Sequence, residues 1–527
     1  MSIKNIKRNS MRNFMNFLRL SIIILLTVSV VLTLFSSCQS SNNGNNSSDK
    51  SGDNTDNGGQ GESGGDSAAT EDNAGKDDLP ERSFNGKEFV ILVNPDPSFR
   101  HFYDVCVENM NGELVNDAVY KRNLEVEERF NIKIKDSQTN NISDSIKKSV
   151  TAGTVDFSVA WVIIGDYSKL SQQNMFLDLN KVPDINLEKI YWDKNVVRDF
   201  TIGGKLYGIM GDISTSVSVF THLFGLNKVV AQDNGIDVAA IYQSVRDGKW
   251  TLDKMYSLIK GVYRDIDGDG TRNFSDAYGL GVSPAICNAA FSASGEKWVS
   301  KDNNGNFILT EPTSRIQGVY DKIQEIVCDQ TATITTWNIG NVQGDMLKGN
   351  TYEYVYYDKF MNNTVLFADI DVGIVMDYRQ LMDYDFGVVP LPKYEESQPN
   401  YSVYAYPFYP MLTVPASYAG DTDSLEFIGT VTEGLASSSY KNLTPAFYNT
   451  AFQTKYTRDE ESIEMLDIIL RSRIYDLMNV SNFGNIDSSI TAAVQKGNLN
   501  LASLFEKYKA RAESDIQKLV DAYSENN

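Results

Sequence analysis

The stretch RDIDGDGTRNFSDAYGL, residues 264–280, carries carboxylates at a spacing that suits a hard, oxygen-loving cation. Asp265, Asp267 and Asp269 take positions one, three and five of an EF-hand-type loop, Gly270 the sharp-turn position, Thr271 the backbone-carbonyl position and Asp276 position twelve. Carboxylates this close repel one another unless a cation neutralises them. The expectation is therefore one structural calcium ion, the alternative an unmetallated Asp-Gly turn. Position twelve is Asp where the pattern has Glu, and this shorter arm can reach the ion with one oxygen or with two.

Other chemistry is harder to find. His101 and His222 are the only histidines, which excludes a multi-histidine metal site and leaves a Ser-His-Asp triad dependent on one of those two. No G-x-S-x-G or P-loop pattern occurs, and Ser-x-x-Lys recurs at Ser145, Ser257 and Ser438 as a weak pattern does. A carboxylate pair of the glycosidase type meets in space and not in sequence, so spacing leaves it open. Cys106, Cys287 and Cys328 are widely separated and read as buried thiols.

The elements that must hold these residues can be read from periodicity. Before the aspartate loop, Leu252, Met255, Tyr256, Ile259, Val262 and Tyr263 share one helical face behind a Thr251 N-cap; after it, AYGLGV reads as strand or coil. The loop is thus expected to clip a helix to the segment that follows. Further upstream, GKEFVILVN, NIKIKD and VDFSVAWV read as strands, alternating with the helical NDAVYKRNLEVEERF and SDSIKKSVTAG. That βαβαβ order predicts an α/β fold with a mostly parallel sheet, whose ligands sit outside the carboxyl ends of the strands. Trp161 lies at such an end, as a core filler or as a flat stacking platform.

The amino-terminal part fixes the compartment. Lys4, Lys7, Arg8, Arg12 and Arg19 precede an uncharged apolar run, Leu20 to Phe35, and Ser36-Ser37-Cys38 follows at once. This reads as an export signal over residues 1–37 that resembles a lipoprotein signal, with Cys38 as the lipidated first residue of the mature chain; a membrane anchor is the alternative. Residues 38–81 are mostly Ser, Asn, Gly and Asp and read as a disordered tether. About 40 such residues reach roughly 35 Å as a random coil. Residues 1–37 hold five of the 48 basic residues and no acidic one, so the mature chain has a net charge of −26, a poor partner for nucleic acid.

Four segments, FLDLNKVPDINLEKIYWDKNVVRDFTIGGKLYGI, GKWTLDKMYSLIKGVYRDIDGDGTRNFSDAYGL, DFGVVPLPKYEESQPNY and FYNTAFQTKYTRDEESIEML, resemble the family 1 extracellular solute-binding lipoproteins of Gram-positive ABC importers. The resemblance spans nearly the whole body. It implies two α/β lobes around an interlobe cleft, with crossings near Ile213–Phe220, Phe367–Ile370 and Tyr409–Thr413. By similarity, lobe one would comprise residues 82–212 and 371–408, and lobe two residues 220–366 and 414–527, the second carrying the calcium loop. It also implies a monomer outside the membrane that hands its ligand to permease subunits and breaks no bond.

Many members of that family bind oligosaccharides, and sugars suit aromatic faces beside Asp, Asn and Arg. The resemblance points to Trp161 as a stacking residue and next to Asp212 in the first crossing. The run Thr351–Phe360 brings Tyr357 and Asp358 near the second crossing, and the run Tyr401–Tyr409 brings Tyr404 and Tyr406 near the third. Sheet packing is the alternative for any one tyrosine. Two further readings stay open: a surface polysaccharide-degrading enzyme stabilised by its calcium loop, and a binding protein for a peptide or another small polar solute.

Overall fold

The computed structural model describes residues 75–96, 104–303, 305–337, 359–452 and 460–524. In chain order the strands are β1 (Lys87–Val93), β2 (Ile132–Gln138), β3 (Val159–Ile163), β4 (His222–Asn227), β5 (Tyr278–Val282), β6 (Val299–Lys301), β7 (Phe307–Leu309), β8 (Thr333–Thr335), β9 (Val365–Asp371), β10 (Phe386–Val389), β11 (Val403–Tyr404), β12 (Pro410–Thr413) and β13 (Arg473–Ile474). They form two main sheets, one per lobe: β12-β3-β1-β2 in the first and β10-β4-β9-β5-β8 in the second.

The first lobe begins as its hydrophobic pattern predicts. β1 pairs in parallel with β2 from Lys87↔Ile132 to Val93↔Gln138, and with β3 at Ile91↔Val159. β2 is the edge strand, with Ile132 and Ile134 buried and Lys133 and Lys135 exposed, so its charges discourage further pairing. Helix Leu114–Phe130 buries Ala118, Val119, Val126 and Phe130, and ends where Asn131 takes a left-handed conformation (φ 49°, ψ 65°).

The domain boundaries differ from expectation in three places. Residues 367–370, expected to cross, lie inside β9, which pairs with β4 on one side and β5 on the other in the middle of the second sheet. Residues 371–408, expected in the first lobe, begin in the second: Phe386–Val389 pairs antiparallel with β4. The chain returns only at β12, which lies antiparallel to β3 with Leu412 opposite Trp161. Conversely, helix Thr422–Phe452, expected in the second lobe, packs on helix Leu114–Phe130 of the first. Phe427 meets Phe84 and Phe89 with ring centroids 4.9 and 5.8 Å apart, and Leu443 packs on Ala118 and Val119. Short, fully apolar strands such as FGVV carry no periodicity that says which sheet they will join.

The tether also ends earlier than residue 81. Asp77 is buried and receives two 2.8 Å hydrogen bonds from the Arg129 guanidinium, and Gly75 accepts one from Ser437. A bidentate ion pair of this kind fixes the backbone that carries it.

After helix Thr422–Phe452, helix Glu460–Arg471 packs on β10 in the second lobe. The final helix, Leu501–Ser524, touches both lobes. Phe505 stacks on Trp298, 5.8 Å between centroids, and at the far end Tyr523 meets Tyr207 at 4.5 Å and accepts a 2.6 Å bond from Lys205 Nζ at its carbonyl. No helix among the described residues is long and apolar enough to cross a membrane.

Candidate functional site

The aspartate loop lies where the sequence puts it. Thr251 caps helix Leu252–Ile259 by accepting from Lys254 N at 3.3 Å, and the loop is closed by paired backbone bonds between Arg264 and Ala277 before β5 begins. Gly270 has φ +71°, the left-handed turn that its position requires, and its N–H donates to Asp265 Oδ2 at 2.9 Å. Oxygens of Asp265, Asp267 and Asp269 gather within 4.8 Å of one another. The Asn273 amide donates to Asp267 Oδ2 (3.4 Å), Asp269 Oδ2 (3.3 Å) and the Thr271 carbonyl (3.1 Å), so three oxygens already converge on one electropositive group. This all-oxygen donor set fits a hard cation. Asp276 does other work: fully buried, it accepts from Asn273 N, Ile266 N and Tyr263 Oη at 3.0–3.2 Å and holds the loop's backbone.

Three segments meet at the seam between the lobes: the first crossing, the stretch 403–409, and β13. Ala405 bridges Thr221, Tyr406 N donates to Phe220 O at 2.8 Å, and β11 pairs with β13 in parallel. Here the expected Tyr404 and Tyr406 do come together. Tyr404 is buried and Tyr406 half-buried, their rings 6.3 Å apart, and Tyr406 continues to Phe408 at 4.8 Å. Phe408 is 43 % exposed and Phe220 lies 6.2 Å beyond it, which makes a row of aromatic faces along the crossing.

Polar groups flank the row at the carboxyl edge of the second sheet. His222 opens β4, with its ring 5.2 Å from Tyr404 and 5.7 Å from Tyr406. Its Nδ1 lies 3.1 Å from Asp369 Oδ1, and Ser283 Oγ donates to the other carboxylate oxygen at 3.4 Å. Asn288, near the start of helix Ile286–Ala293, donates to Asp487 Oδ2 at 2.8 Å. Burial pushes Asp487 up to about 7, against the pull of Asn288. Sequence reasoning missed Asp369, Ser283, Asn288 and Asp487, which come from four separate segments. Asp369 left one trace, a carboxylate inside the apolar run VLFADID.

The other expected residues fall elsewhere. Trp161 is 2 % exposed and packs in the first lobe's core, where it borders only a narrow gap of about 10 Å³ beside Gly211, Ser214 and Val217. Asp212 lies outside the aromatic row and lines a cavity of about 280 Å³ at the seam. Thr444 Oγ1 donates to it at 2.8 Å, and burial pushes it up to about 6 despite that bond and the nearby Arg473. Gly211 beside it packs against the Tyr191 carbonyl and the Trp192 ring, where a Cβ has no room. Tyr357, Asp358, His101 and Cys38 lie outside the described residues.

Two α/β lobes linked by repeated crossings are the fold of the two-lobed periplasmic binding proteins. The chain is similar in structure to a sugar transporter from Rhizobium etli in an open conformation, with 13% identity, a TM-score of 0.52, and coverage of 82% of this chain and 99% of that one. A cyclo/maltodextrin-binding protein complexed with maltotetraose gives 14% identity and a TM-score of 0.51 over 82% of this chain and 98% of the other. UspC of M. tuberculosis gives 10% and 0.50 over 81% and 99%. No family model matches the chain, and no curated protein sequence matches it.

Proposed function

We propose that the chain is the lipid-anchored solute-binding component of an ABC importer and captures an oligosaccharide between its lobes on the outer face of the membrane. The observation that carries this reading is the row Tyr404, Tyr406 and Phe408 beside Asp369, Asn288 and Asp487. Aromatic rings stack on the C–H faces of sugars while carboxylates and amides take the hydroxyls. A protein of this fold holds maltotetraose, which supports the same ligand class here. Closure about the crossings would bury the ligand, and the closed form is what a permease would recognise; no covalent step is involved.

Calorimetric titration of the purified mature chain against a panel of neutral oligosaccharides is the test. At least one should bind, and Tyr406→Ala should weaken it about tenfold or more. Trp161→Ala should instead lower the melting temperature and leave affinity unchanged. Release of shorter sugars from any of these compounds, or the absence of binding to all of them, would overturn the reading.

Two further parts of the proposal have their own tests. Acylation at Cys38 would attach the protein to the membrane; a fatty-acid probe should label the wild type in cells, and equal labelling of Cys38→Ala would refute it. One calcium ion would be held by Asp265, Asp267, Asp269 and the Thr271 carbonyl, with Asp276 bracing the loop behind them. Metal that binds only the folded state stabilises it by about 2.7 kcal/mol at a hundredfold excess over Kd. Chelator should therefore lower the melting temperature of wild type and leave Asp267→Ala unmoved, whereas an unchanged wild-type melt would make the loop an unmetallated turn.

A further inference from the structure

The lobes touch through side chains as well as through the crossings. Helix Lys194–Phe200 belongs to the first lobe, where the buried Phe200 ring meets Tyr167 at 6.2 Å. Hairpin β6–β7 belongs to the second, where Trp298 at its start stacks on Phe291 at 5.2 Å and lies 6.1 Å from Tyr320. Two lysines of the hairpin segment reach the last turn of that helix. Lys297 Nζ lies 2.7 Å from Asp199 Oδ2, and Lys301 Nζ donates to the Arg198 carbonyl, at the helix end whose carbonyls favour a cation.

We propose that Asp199, Lys297 and Lys301 form an ionic latch between the lobes, which holds the hinge angle seen here and releases as ionic strength rises. The inference concerns the lobes themselves and stands whatever they bind. Its strength comes from partial burial. The Asp199 side chain is 10 % exposed and that of Lys297 21 %, so water and salt weaken this pair less than the fully exposed pairs that contribute little. Its reversibility comes from Arg198, which donates to both Asp199 oxygens at 2.8 Å from within the same lobe. When the lobes part, the carboxylate keeps that partner and is not left as an uncompensated buried charge, the cost that makes breaking most buried pairs prohibitive. Lys297 and the exposed Lys301 exchange their partners for water. The other carboxylate of this helix end, Asp193 at the N-cap, does not compete for the lysines, because Arg473 at 3.3 Å and Tyr475 Oη at 2.8 Å already engage it. Salt acts on re-formation: the separated charges attract over a Debye length, ~10 Å at 0.1 M and ~3 Å at 1 M, so concentrated salt removes the pull that closes the latch.

The test is single-molecule energy transfer in the full mature chain without ligand, with dyes on noncanonical residues placed at the exposed Lys148 of the first lobe and Lys254 of the second. At about 0.1 M salt wild type should show one narrow interlobe distance, which broadens at about 1 M. Lys297→Met/Lys301→Met alters surface side chains only and should be broad at both, with the wild-type conformation about tenfold less populated relative to the rest. Asp199→Asn should do the same. Lys322→Met, which removes ion pairs to Asp253 and Glu325 inside the second lobe, should match wild type. The latch is overturned if the double lysine variant superposes on wild type at low salt, if salt moves that variant as far as it moves wild type, or if Lys322→Met shifts the distance equally.

Discussion

Replacing Glu433 by alanine should destabilise the fold by about 3–5 kcal/mol, from about 1–3 kcal/mol for each buried donor left without an acceptor. Glu433 is 1 % exposed on helix Thr422–Phe452 and accepts from three donors of one neighbouring segment: Tyr191 Oη, Trp192 Nε1 at 3.0 Å and Asn186 N at 3.2 Å. Alanine leaves all three without an acceptor. Asn186 borders the same opening to solvent as Glu433 and recovers water most easily, while the two rings are buried deeper and lose more. Glu433→Gln keeps an acceptor oxygen and adds an N–H facing other donors, so its loss should be smaller, about 1–2 kcal/mol. Urea unfolding followed by tryptophan fluorescence measures both, and an alanine variant as stable as wild type would show that the network contributes nothing net.

Acid should stabilise this protein between pH 8 and pH 5. Burial pushes Asp212 and Asp476 up to about 6, and Asp487 and Glu433 up to about 7. The unfolded chain releases the same protons near pH 4. Each group's folded value lies above its unfolded one, so its contribution is whole below about pH 4 and is lost as pH rises through 6 to 7. Carboxylates held low act in another window. Asp77 and Asp199 stay below their ordinary value of 3.8, against burial, through Arg129 and through Arg198 and Lys297, and cost stability only below that pH. A tenfold difference in proton affinity between the folded and unfolded chain corresponds to about 1.4 kcal/mol, so four groups together should change the unfolding free energy by on the order of 3 kcal/mol or more. Urea midpoints at fixed calcium should be higher at pH 5 than at pH 8, with a flatter profile for Asp487→Asn. A midpoint that rises toward pH 8 would refute the assignment.

What could be read in the sequence was local. The first three strands and the helices between them carry clear periods of two and 3.6, and all form where their patterns put them. The folding of the aspartate loop was equally legible, since its carboxylates and turn glycine are set by spacing within twelve residues. Pairing between distant segments was not. Whether FGVV joins the first or the second sheet depends on which edge β4 leaves open, and whether helix Thr422–Phe452 covers one lobe or the other depends on the groove beside helix Leu114–Phe130. The site divides in the same way. Tyr404 and Tyr406 announced themselves as an aromatic run, whereas Asn288 and Asp487 are 199 residues apart and nothing in either neighbourhood points to the other. Trp161 stood at a strand's carboxyl end in either reading, and only the antiparallel return of β12 beside it decided that it is covered.

The last helix is anchored in both lobes. With Phe505 fixed on Trp298 of one lobe and Tyr523 among Tyr167 and Tyr207 of the other, it is a lever with a span of about 27 Å at 1.5 Å per residue. Any rotation of the second lobe would slide or bend this lever and displace a tyrosine cluster that lies apart from the aromatic row. An environment-sensitive fluorophore beside Tyr207 would therefore report lobe movement from a distance, so that, on the proposed function, the protein could serve as a reagentless optical sensor with the aromatic row left unmodified.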